Sequence, residues 1–341
     1  MTGARVALFS RKPTPHVYSI ERVFDLIADR LPERFEPVKR VASYRSTGVI
    51  PRALAVLEAR RRQGDLNHVV GDVNFLALLL RRERTIVTIH DCEFMERASP
   101  MKRWIYRWVW LELPARRAAM VIVPTHDVLE DLQRYTSVDP AKVRVIPMPV
   151  DPRFTPSPMR EDPREPVILQ VGTRHNKNLE GVIRALEGMP CRLIVLGALT
   201  STQRELLGRC GIRYEERVAL PHDEVPRVYR EADLVVFAST KEGFGLPIAE
   251  AQASGRPLVA GDRPPLPEVA GEGACLVDPL DVSSIRAGIR RVVEDAPYRR
   301  RLVEEGLRNV ARFEAGRVAD AHAALYDEVL ASAAAQRSRN A

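Results

Sequence analysis

Two glutamates with seven residues between them enclose a glycine-rich turn. Glu242 precedes the segment Gly243-Phe244-Gly245-Leu246, and Glu250 follows inside a stretch with a helical pattern. Glycines let a ligand approach the backbone closely, and amides at a helix start bind phosphates and sugar hydroxyls. Carboxylates are strong acceptors for hydroxyl groups. This arrangement predicts a site for a sugar attached to a nucleotide diphosphate.

The residues around the turn indicate how it is positioned. Asp233–Ser239 is a short apolar run of the kind that forms a buried parallel strand. A helix is predicted over Leu246–Ser254. Strand, glycine turn and helix start are the parts with which α/β proteins present backbone amides to a ligand. We therefore expect the turn to follow a strand of a parallel sheet.

Short apolar runs alternate with longer amphipathic runs along the whole chain. We predict strands at Val6–Ser10, Val38–Ala42, His68–Gly71, Thr85–His90, Met120–Pro124, Val143–Met148, Val167–Val171, Arg192–Leu196, Arg213–Val218, Asp233–Ala238, Pro257–Ala260 and Ala274–Val277. We predict helices at Ser19–Leu31, Pro51–Gln63, Met101–Ala118, Asp127–Tyr135, Asn178–Leu186, Thr202–Arg209, Asp223–Tyr229 and Leu246–Ser254, and a nearly continuous helical segment from Asp281. This alternation implies right-handed βαβ units around parallel sheets.

The length and the prolines predict two domains. A chain of 341 residues suits two domains of about 150 residues each. We assign residues 1–150 to the first domain, residues 151–166 to a proline-rich linker and residues 167–314 to the second domain. Residues 315–341 form a helical C-terminal segment whose end, Ala331–Ala341, we expect to fray. The fold class is α/β, with two Rossmann-like doubly wound domains facing each other across a ligand-binding cleft.

The segment from about Pro166 to Glu314 resembles the retaining glycosyltransferases of family 4 (glycosyl transferases group 1), which have the GT-B fold. The first half resembles them more loosely. The most specific match is the pair Glu242 and Glu250 with the glycine turn between them. In that family the first acid contacts the donor sugar, the second holds the ribose hydroxyls, and the turn amides meet the sugar and the diphosphate. The resemblance implies these roles here, with Gly243, Phe244, Gly245 and Leu246 as donor-binding residues.

A second matching loop runs from the predicted strand Val167–Val171 to Leu179 and carries two cations. A leaving nucleoside diphosphate gains negative charge, and fixed cations stabilise that charge. The resemblance assigns this role to Lys177, and to Arg174 because Asn176 stands where relatives often have arginine. The amides of Gly172 and Thr173 are expected beside the diphosphate. The alternative is a solvated basic turn.

His90 and Asp91 follow a predicted strand of the first half. In the family a histidine at this place lies near the hydroxyls of the donor sugar. The resemblance therefore implies a sugar contact for His90 and a supporting role for Asp91, which would orient the imidazole or bind a hydroxyl. A structural histidine at a strand end is the alternative.

Two loops depart from or extend the family pattern. Relatives often carry a glycine pair after the first strand, whereas this chain has a loop over residues 10–23 that includes Arg11 and Lys12. These two cations would meet an anionic acceptor, or the loop is a surface turn. A further loop, Leu266–Gly271, resembles one that closes on the donor.

The resemblance implies transfer of a sugar from a UDP- or GDP-sugar to an acceptor hydroxyl, with retention of anomeric configuration. The expected products are cell-surface polysaccharides or glycolipids. We expect no cofactor beyond the nucleotide-sugar co-substrate, and no metal, because the chain has no Asp-x-Asp motif. The acceptor would be a glycan or a lipid-linked sugar. The alternatives are another GT-B enzyme, such as a nucleotide-sugar epimerase or a phosphorylase, and a non-catalytic sugar-nucleotide-binding protein.

The charge of the chain is concentrated in its first half. Residues 1–150 carry 25 Lys and Arg against 17 Asp and Glu, whereas residues 151–341 carry 27 against 28. A basic half suggests an anionic partner such as a lipid phosphate or a membrane surface. A solvated, arginine-rich surface is the alternative. No nucleic-acid recognition motif is present, so no nucleic-acid partner is expected.

All three tryptophans of the chain lie in Met101–Leu111. Trp104, Trp108 and Leu111 recur at helical spacing, with basic residues on the flank. An interfacial helix that contacts an anionic bilayer has this pattern. A helix whose apolar face packs on the core and whose edges carry basic residues has the same pattern.

The remaining bulk features predict a cytoplasmic protein, with peripheral attachment to the inner face of the membrane if the tryptophan-rich helix binds lipid. No apolar run approaches the length of about 20 residues that a membrane span needs. The N-terminus lacks the apolar core of a secretory signal. The four cysteines are scattered, which favours free thiols in a reducing compartment.

Overall fold

The computed structural model describes residues 3–12, 19–44, 46–160 and 164–340. These residues form two compact units. The first consists of Met1–Pro149 together with Ala315–Ala341, and the second is Val150–Glu314. Each unit contains one six-stranded parallel sheet with helices.

The sheet of the first unit has the strand order β2-β1-β3-β4-β5-β6. Its strands are β1 Ala4–Ser10, β2 Phe35–Val41, β3 Leu66–Val69, β4 Thr85–Thr88, β5 Met120–Val123 and β6 Val143–Val145. The helices are α1 Ser19–Ala28, α2 Val49–Arg61, α3 Glu93–Arg97, α4 Pro100–Tyr106, α5 Leu113–Arg117 and α6 His126–Tyr135. Short 3₁₀ turns lie at Asn74–Leu79, Arg82–Arg84 and Pro140–Lys142, and a π-helical stretch at Arg107–Glu112 joins α4 to α5.

The sheet of the second unit has the strand order β12-β11-β10-β7-β8-β9. Its strands are β7 Val167–Val171, β8 Arg192–Leu196, β9 Arg213–Arg217, β10 Leu234–Phe237, β11 Leu258–Gly261 and β12 Cys275–Val277. The helices are α7 Leu179–Leu186, α8 Ser201–Arg209, α9 Val225–Glu231, α10 Leu246–Ala253, α11 Leu266–Ala270, α12 Val282–Glu294 and α13 Ala296–Val310. Two 3₁₀ turns lie at His175–Lys177 and Ala311–Phe313.

Both strand orders reverse direction at one place in the sheet. In the first unit β1 lies between β2 and β3, and in the second unit β7 lies between β8 and β10. At such a switch point the loops after two neighbouring strands diverge to opposite faces, which leaves room for a ligand at the carboxyl edge. Because β7 and β10 are paired neighbours, the first residues after them lie close together at this edge, although the sequence separates them by more than 60 residues. The doubly wound parallel sheets predicted from the sequence are confirmed.

Two predicted features of the second half differ in the structure. Leu266–Gly271 is not a loop, because residues Leu266–Ala270 form α11 with proline in its first turn, where a missing amide costs nothing. The proline-rich segment after residue 150 packs onto the second unit. Phe154 is buried against Tyr229, with 5.1 Å between their ring centres. Residues 161–163 lie outside the described residues.

The last helix, α14 Ala315–Asn340, belongs to the first unit. The end of the chain was expected to fray, but the structure describes it as helical to Asn340. Val329 and Ala333 on this helix are buried, and burial of an apolar side holds a helix in place. Arg34 anchors the same helix through an ion pair with Asp327 at 2.9 Å.

Three histidines are buried around one phenylalanine of the first unit. Phe24 meets the rings of His68, His90 and His322 edge-on, with centre distances of 5.4, 5.9 and 6.1 Å. His68 Nδ1 lies 2.8 Å from the hydroxyl of Tyr326. Because His322 and Tyr326 belong to α14, these rings attach the C-terminal helix to the sheet.

Acid is expected to weaken the contribution of these rings to the stability of the protein. Burial holds the pKa of His68 well below its ordinary value and lowers that of His322 to about 4. In the unfolded chain both groups take up protons near pH 6.5, so the unfolded state binds more protons at these two sites and their contribution to the free energy of unfolding falls as the pH drops below about 6.5. For His322 alone the loss is about 2 kcal/mol at pH 5. Urea unfolding at pH 7.5 and pH 5 measures it.

The matched variants for this prediction are His322→Gln and His175→Gln. The first removes the buried titrating group and should reduce the loss between the two pH values by about 2 kcal/mol. The second removes an exposed histidine and should leave the loss unchanged. Equal pH dependence in the wild type and in His322→Gln would contradict the prediction.

Candidate functional site

The loop after β7 and the loop after β10 are joined by hydrogen bonds. The amide of Thr240 donates to the carbonyl of Asn176 at 2.8 Å, and Asn176 Nδ2 donates to the carbonyl of Lys241 at 3.0 Å. Asn176 is the residue that departs from the arginine common in relatives, and here it connects the two loops. The connection brings the predicted Lys177 and Glu242 to one point of the carboxyl edge.

Lys177 and Glu242 form a largely buried ion pair. Lys177 Nζ lies 2.5 Å from Glu242 Oε1, and the two side chains are 19% and 13% exposed. The hydroxyl of Ser239 donates to the same carboxylate oxygen at 2.6 Å. The ammonium also lies 4.8 Å from the ring centre of Phe237, within the range of a cation–π contact. These contacts hold the cation in one position before any ligand arrives.

The backbone of the β7 loop is shaped around the lysine side chain. Gly172 has φ +86°, and a Cβ atom there would lie 2.9 Å from Lys177 Cγ. Gln170, fully buried on β7, donates to the carbonyl of Lys177 at 3.0 Å. The role expected for the Gly172 amide is wrong, because that amide donates to the carbonyl of Leu196 at 2.9 Å. Gly172 instead gives the lysine side chain room.

The other two predicted residues of this loop differ in exposure and contacts. The side chain of Arg174 is exposed and has no ion-pair partner among the described residues. The hydroxyl of Thr173 donates to the carbonyl of Ala198 at 2.7 Å, and its carbonyl accepts a hydrogen bond from Gln203 at 2.9 Å. Arg174 is therefore the cation of this loop that a ligand could reorient, whereas Lys177 is fixed.

The glycine turn ends at the first residue of α10. Gly245 has φ +95°, which favours glycine, and a Cβ atom there would lie 2.9 Å from Leu266 Cδ2. Phe244 is buried against Phe313, with 5.3 Å between ring centres. The amides of Phe244 and Leu246 have no acceptor within the described part of the chain. They are available for a negatively charged or hydroxyl-bearing ligand at this helix start.

Glu250 lies half-buried on α10 beside a buried tyrosine. The hydroxyl of Tyr229 donates to Glu250 Oε2 at 2.5 Å. The pKa of Glu250 is raised to about 7, mainly by burial and also by the charge of Asp151, while the tyrosine hydrogen bond and Lys177 act in the opposite direction. The carboxyl therefore changes its charge close to neutral pH. Burial and the adjacent Glu250 also raise the pKa of Tyr229 well above its ordinary value, so the tyrosine stays a donor.

In the first unit, His90 is 6% exposed at the end of β4. Its Nε2 lies 2.8 Å from the carbonyl of Val70, which can only accept, so Nε2 carries the proton. Burial lowers the pKa of His90, and the neutral ring leaves Nδ1 as an acceptor. Nδ1 is buried and has no hydrogen-bond partner among the described residues. Asp91 Oδ1 accepts a hydrogen bond from the amide of Glu93 at 3.1 Å.

Ser239, Gln170 and Tyr229 support the site but were not among the residues predicted from the sequence. Ser239 occupies the end of the predicted strand three positions before Glu242, so its place offered a signal. Gln170 was part of the matching strand, and a polar residue inside an apolar strand was a second signal. Tyr229 stands 21 residues before Glu250 on another helix, and no local pattern connects the two.

The described residues contain no group of three His, Cys, Asp or Glu side chains that could hold a metal ion. They also contain no helix that is long and apolar enough to cross a membrane.

Two family models match adjoining parts of the chain. The model described as Glycosyltransferase Family 4 matches residues 2–154, and the model described as Glycosyl transferases group 1 matches residues 154–308. The second match contains the Lys177, Glu242 and Glu250 site.

Curated relatives carry the names of glycosyltransferases. The chain is 27% identical to the MMP alpha-(1->4)-mannosyltransferase of Mycolicibacterium hassiacum over 83% of this chain and 75% of the relative. It is 31% identical to the O-antigen chain mannosyltransferase B of Escherichia coli over 42% of this chain and 41% of the relative. It is 32% identical to a D-inositol 3-phosphate glycosyltransferase of Mycobacterium sp. (strain KMS) over 66% of this chain and 56% of the relative. The last two matches span less than two thirds of the relatives' own length.

Solved structures with the same fold cover nearly the whole chain. Anabaena Alr3699/HepE in complex with UDP and glucose matches with a TM-score of 0.79 and 17% identity, over 95% of this chain and 100% of that one. Sucrose-phosphate synthase from Thermosynechococcus elongatus matches with a TM-score of 0.79 and 18% identity, over 96% and 100%. At these identities the likeness establishes the fold, which is GT-B.

Proposed function

Because the chain belongs to the family 4 glycosyltransferases, we propose that it transfers a hexosyl residue from a nucleotide-diphosphate sugar to an acceptor hydroxyl with retention of anomeric configuration. The observation that carries this proposal is the buried pair of Lys177 Nζ and Glu242 Oε1, 2.5 Å apart at the switch point of the second sheet. A fixed cation at this edge, beside free amides of a helix start, suits a diphosphate that gains charge as it leaves.

The roles in the donor site follow from the contacts of each residue. Lys177 stabilises the leaving diphosphate, and Arg174, whose side chain is exposed, turns onto it when the donor binds. Glu242 fixes the lysine and accepts a hydrogen bond from the donor sugar through its second oxygen. The amides of Phe244 and Leu246 donate to the sugar or the diphosphate.

Glu250 and His90 have separate proposed roles, each on its own unit. The ionised Glu250 accepts hydrogen bonds from the two ribose hydroxyls, with Tyr229 as its fixed donor on one oxygen. His90 presents an unprotonated Nδ1, which suits a hydroxyl of the donor sugar. Asp91 supports the β4 loop through its hydrogen bond to the amide of Glu93.

The chemistry proposed for the transfer uses no covalent enzyme intermediate. The acceptor oxygen attacks the anomeric carbon on the face from which the diphosphate leaves. The bond from that carbon to the phosphate oxygen breaks, and the acceptor proton passes to the same phosphate oxygen. The protein contributes position and charge stabilisation. Since the relatives named above include O-antigen and inositol-phosphate glycosyltransferases, polysaccharide or glycolipid assembly is the proposed setting.

A donor panel tests the proposal. The purified chain is incubated with UDP- and GDP-sugars and simple sugar acceptors, and release of the nucleotide is measured. Product analysis by NMR then gives the anomeric configuration. Absence of nucleotide release and of transfer with every donor and acceptor would refute the enzymatic function, and an inverted product would refute retention. Binding of nucleotide without turnover would favour a non-catalytic sugar-nucleotide-binding protein.

We also infer a peripheral contact with an anionic membrane through the first turns of the tryptophan-rich run. Met101, Trp104 and Ile105 are 77%, 65% and 40% exposed. Leu111 is buried, and Trp110 packs against the core and under Arg52, so the run does not present a uniform face. An exposed apolar turn beside basic residues suits an anionic bilayer surface.

Liposome sedimentation checks this membrane contact. Replacing Met101 and Trp104 together with serine is expected to weaken binding to phosphatidylglycerol vesicles by at least about tenfold, because both apolar side chains lose their burial in lipid. Leu280→Ser, which removes a side chain that is 72% exposed in the second unit, is the matched control and should bind as the wild type does. Equal binding of the double variant and the wild type, or no binding by either, would rule out this contact.

A further inference from the structure

The carboxyl group of Glu250 is held by a tyrosine that lies on another helix. Tyr229 on α9 is fully buried, and its hydroxyl donates to Glu250 Oε2 on α10 at 2.5 Å. Burial and the neighbouring acid raise the pKa of Tyr229 well above its ordinary value, so the hydroxyl keeps its proton. A buried phenol that stays protonated is a permanent donor to one carboxylate oxygen.

The second oxygen of Glu250 has a different environment. Oε1 accepts no hydrogen bond from the described part of the chain. An ionised carboxylate has about four acceptor positions, two on each oxygen. Because Oε2 is turned to Tyr229, the acceptor positions of Oε1 are left for hydroxyl donors of a ligand. The tyrosine therefore fixes the rotation of the carboxyl group and the direction in which Oε1 is presented.

Tyr229 is itself held by the segment with which the second unit begins, residues 150–160. The ring of Phe154 packs edge-on against the ring of Tyr229, with 5.1 Å between their centres and 87° between their planes. Phe154 is also buried. Aromatic pairs in this geometry attract each other beyond the effect of the area that they bury. The contact therefore keeps the tyrosine ring, and with it the hydroxyl, in one place.

The same segment is fastened to the second unit at both of its ends. The amide of Val150 donates to the carbonyl of Phe313 at 2.8 Å. Arg160 Nε donates to Asp233 Oδ1, just before β10, at 2.8 Å. Because Phe154 lies between these two attachments, it is a firm support for the tyrosine.

A carboxylate of this segment acts on Glu250 through its charge. Asp151 is held by Arg153, whose Nη2 lies 2.6 Å from Asp151 Oδ2, and its side chain is 11% exposed. Burial is the main cause of the raised pKa of Glu250, and the charge of Asp151 adds to it. The hydrogen bond from Tyr229 and the charge of Lys177 act in the opposite direction. The tyrosine hydroxyl therefore favours the carboxylate form, which is the form that accepts hydrogen bonds from a ribose.

We propose that Tyr229 is a positioning residue for nucleotide binding: its hydroxyl directs Glu250 at the ribose and favours the ionised carboxylate, and Phe154 keeps the tyrosine ring in place. Both residues act through Glu250 and do not contact the nucleotide. The proposal rests on the proposed transferase function, because it concerns the ribose end of the donor in that reaction. The contribution of Tyr229 to affinity must then depend on the ribose hydroxyls of the ligand.

The experiment measures nucleotide affinity of the full chain by isothermal titration at pH 8. UDP and GDP are each compared with their 2′,3′-dideoxy forms, which lack both ribose hydroxyls. Tyr229→Phe removes only the hydroxyl, and it is expected to weaken binding of the ribonucleotide at least about fivefold and to leave the affinity for the dideoxy form unchanged. Tyr214→Phe removes the hydroxyl of an exposed tyrosine on β9 and is the matched control, with no expected change.

The pH profile of affinity gives a second measurement, which a purely structural role of the tyrosine would not change. Wild-type affinity should fall as Glu250 takes up its proton, with a midpoint near pH 7. Tyr229→Phe should move this midpoint to higher pH, because the hydrogen bond that favours the carboxylate is lost. Asp151→Asn should move it to lower pH, because a charge that disfavours the carboxylate is removed.

Phe154→Leu tests the support of the tyrosine ring. The variant keeps an apolar side chain but loses the edge-on ring contact, so the hydroxyl is held less firmly. It is expected to weaken ribonucleotide binding about two- to threefold and to leave the affinity for the dideoxy form unchanged.

The outcomes separate this proposal from the function itself. Equal losses of affinity for the ribonucleotide and its dideoxy form in Tyr229→Phe would show that the tyrosine only supports the fold, and would overturn the proposal. An unchanged pH midpoint in Tyr229→Phe, or unchanged ribonucleotide affinity in Phe154→Leu, would also overturn it. Equal wild-type affinity for both forms, or binding of neither, would count against it while nucleotide release from donor sugars continues. Absence of that release with every donor would instead refute the proposed function.

Discussion

Lys177→Met is expected to lower kcat by about 10²–10³-fold while the donor KM changes by less than about threefold. The ammonium is fixed by Glu242, at 2.5 Å, and by the ring of Phe237 before the donor binds. A cation that is held where negative charge develops stabilises mainly the transition state. The diphosphate carries more negative charge in the transition state than in the bound substrate. The measurement is steady-state nucleotide release at a saturating acceptor.

Two controls distinguish lost charge from lost structure. Lys177→Arg keeps a cation but not its position, and it should recover only part of the rate. Lys39→Met breaks a surface ion pair, that of Lys39 Nζ with Asp25 Oδ1 at 2.7 Å, and should leave kcat unchanged. A kcat of Lys177→Met within about threefold of the wild type, or a loss confined to KM, would show that the lysine does not stabilise the leaving group.

Glu250→Gln is expected to weaken nucleotide binding and to stabilise the free protein at the same time. The carboxylate form is needed to accept hydrogen bonds from both ribose hydroxyls, so its loss should weaken UDP or GDP binding at pH 8 by about 10–100-fold. Because the pKa of Glu250 is raised to about 7, wild-type affinity should also fall about tenfold between pH 8 and pH 6 as the group takes up its proton. The variant should lack this additional pH dependence. Isothermal titration measures both effects.

Glu250→Gln is expected to stabilise the free protein, although it weakens nucleotide binding. The folded state keeps the Glu250 proton up to about pH 7, whereas the unfolded chain loses it near pH 4.5, so the contribution of this group to wild-type stability declines as the pH rises through this interval. The total decline attributable to this group is about 3 kcal/mol. Glu250→Gln cannot lose the proton, and at pH 8 it should be more stable than the wild type by up to that amount.

Glu294→Gln is the matched control, because Glu294 is an exposed acid at the end of α12 that pairs with Arg290 and has no assigned donor contact. It should alter neither nucleotide affinity nor its pH dependence. Unchanged UDP and GDP affinity in Glu250→Gln would refute the ribose role. An equal decline in stability between pH 5 and pH 8 in the variant and the wild type would refute the raised pKa as its cause.

The proposed donor site depends largely on segments that are local in the sequence. Glu242 and the glycine turn occupy consecutive positions, and Gly245 at φ +95° needs the residue type that the sequence has there. The availability of particular amides was less predictable. The Gly172 amide donates to the carbonyl of Leu196 on β8. The position of β8 beside β7 depends on the packing of the whole sheet.

Partners that are distant along the chain were beyond the reach of local patterns. Lys177 and Glu242 were both identified, but their direct pairing across 65 residues was not. Tyr229, which donates to Glu250, was not identified at all. The same holds for α14, which follows the second unit in sequence and packs within the first.

The sequence by itself determined the local units: which segments are strands or helices, where the chain turns, and which residue types carry charge into those turns. The periodicity of apolar residues and the effects of glycine and proline act over a few neighbouring residues. These features can therefore be predicted from the order of residues alone. Only the tertiary structure decided that β7 and β10 are neighbours, that Lys177 therefore meets Glu242, and that Glu250 is buried enough to titrate near neutral pH. Strand order and burial are selected by the packing of the entire sheet. The packing energy is spread over many weak contacts, so it leaves no local pattern in the sequence.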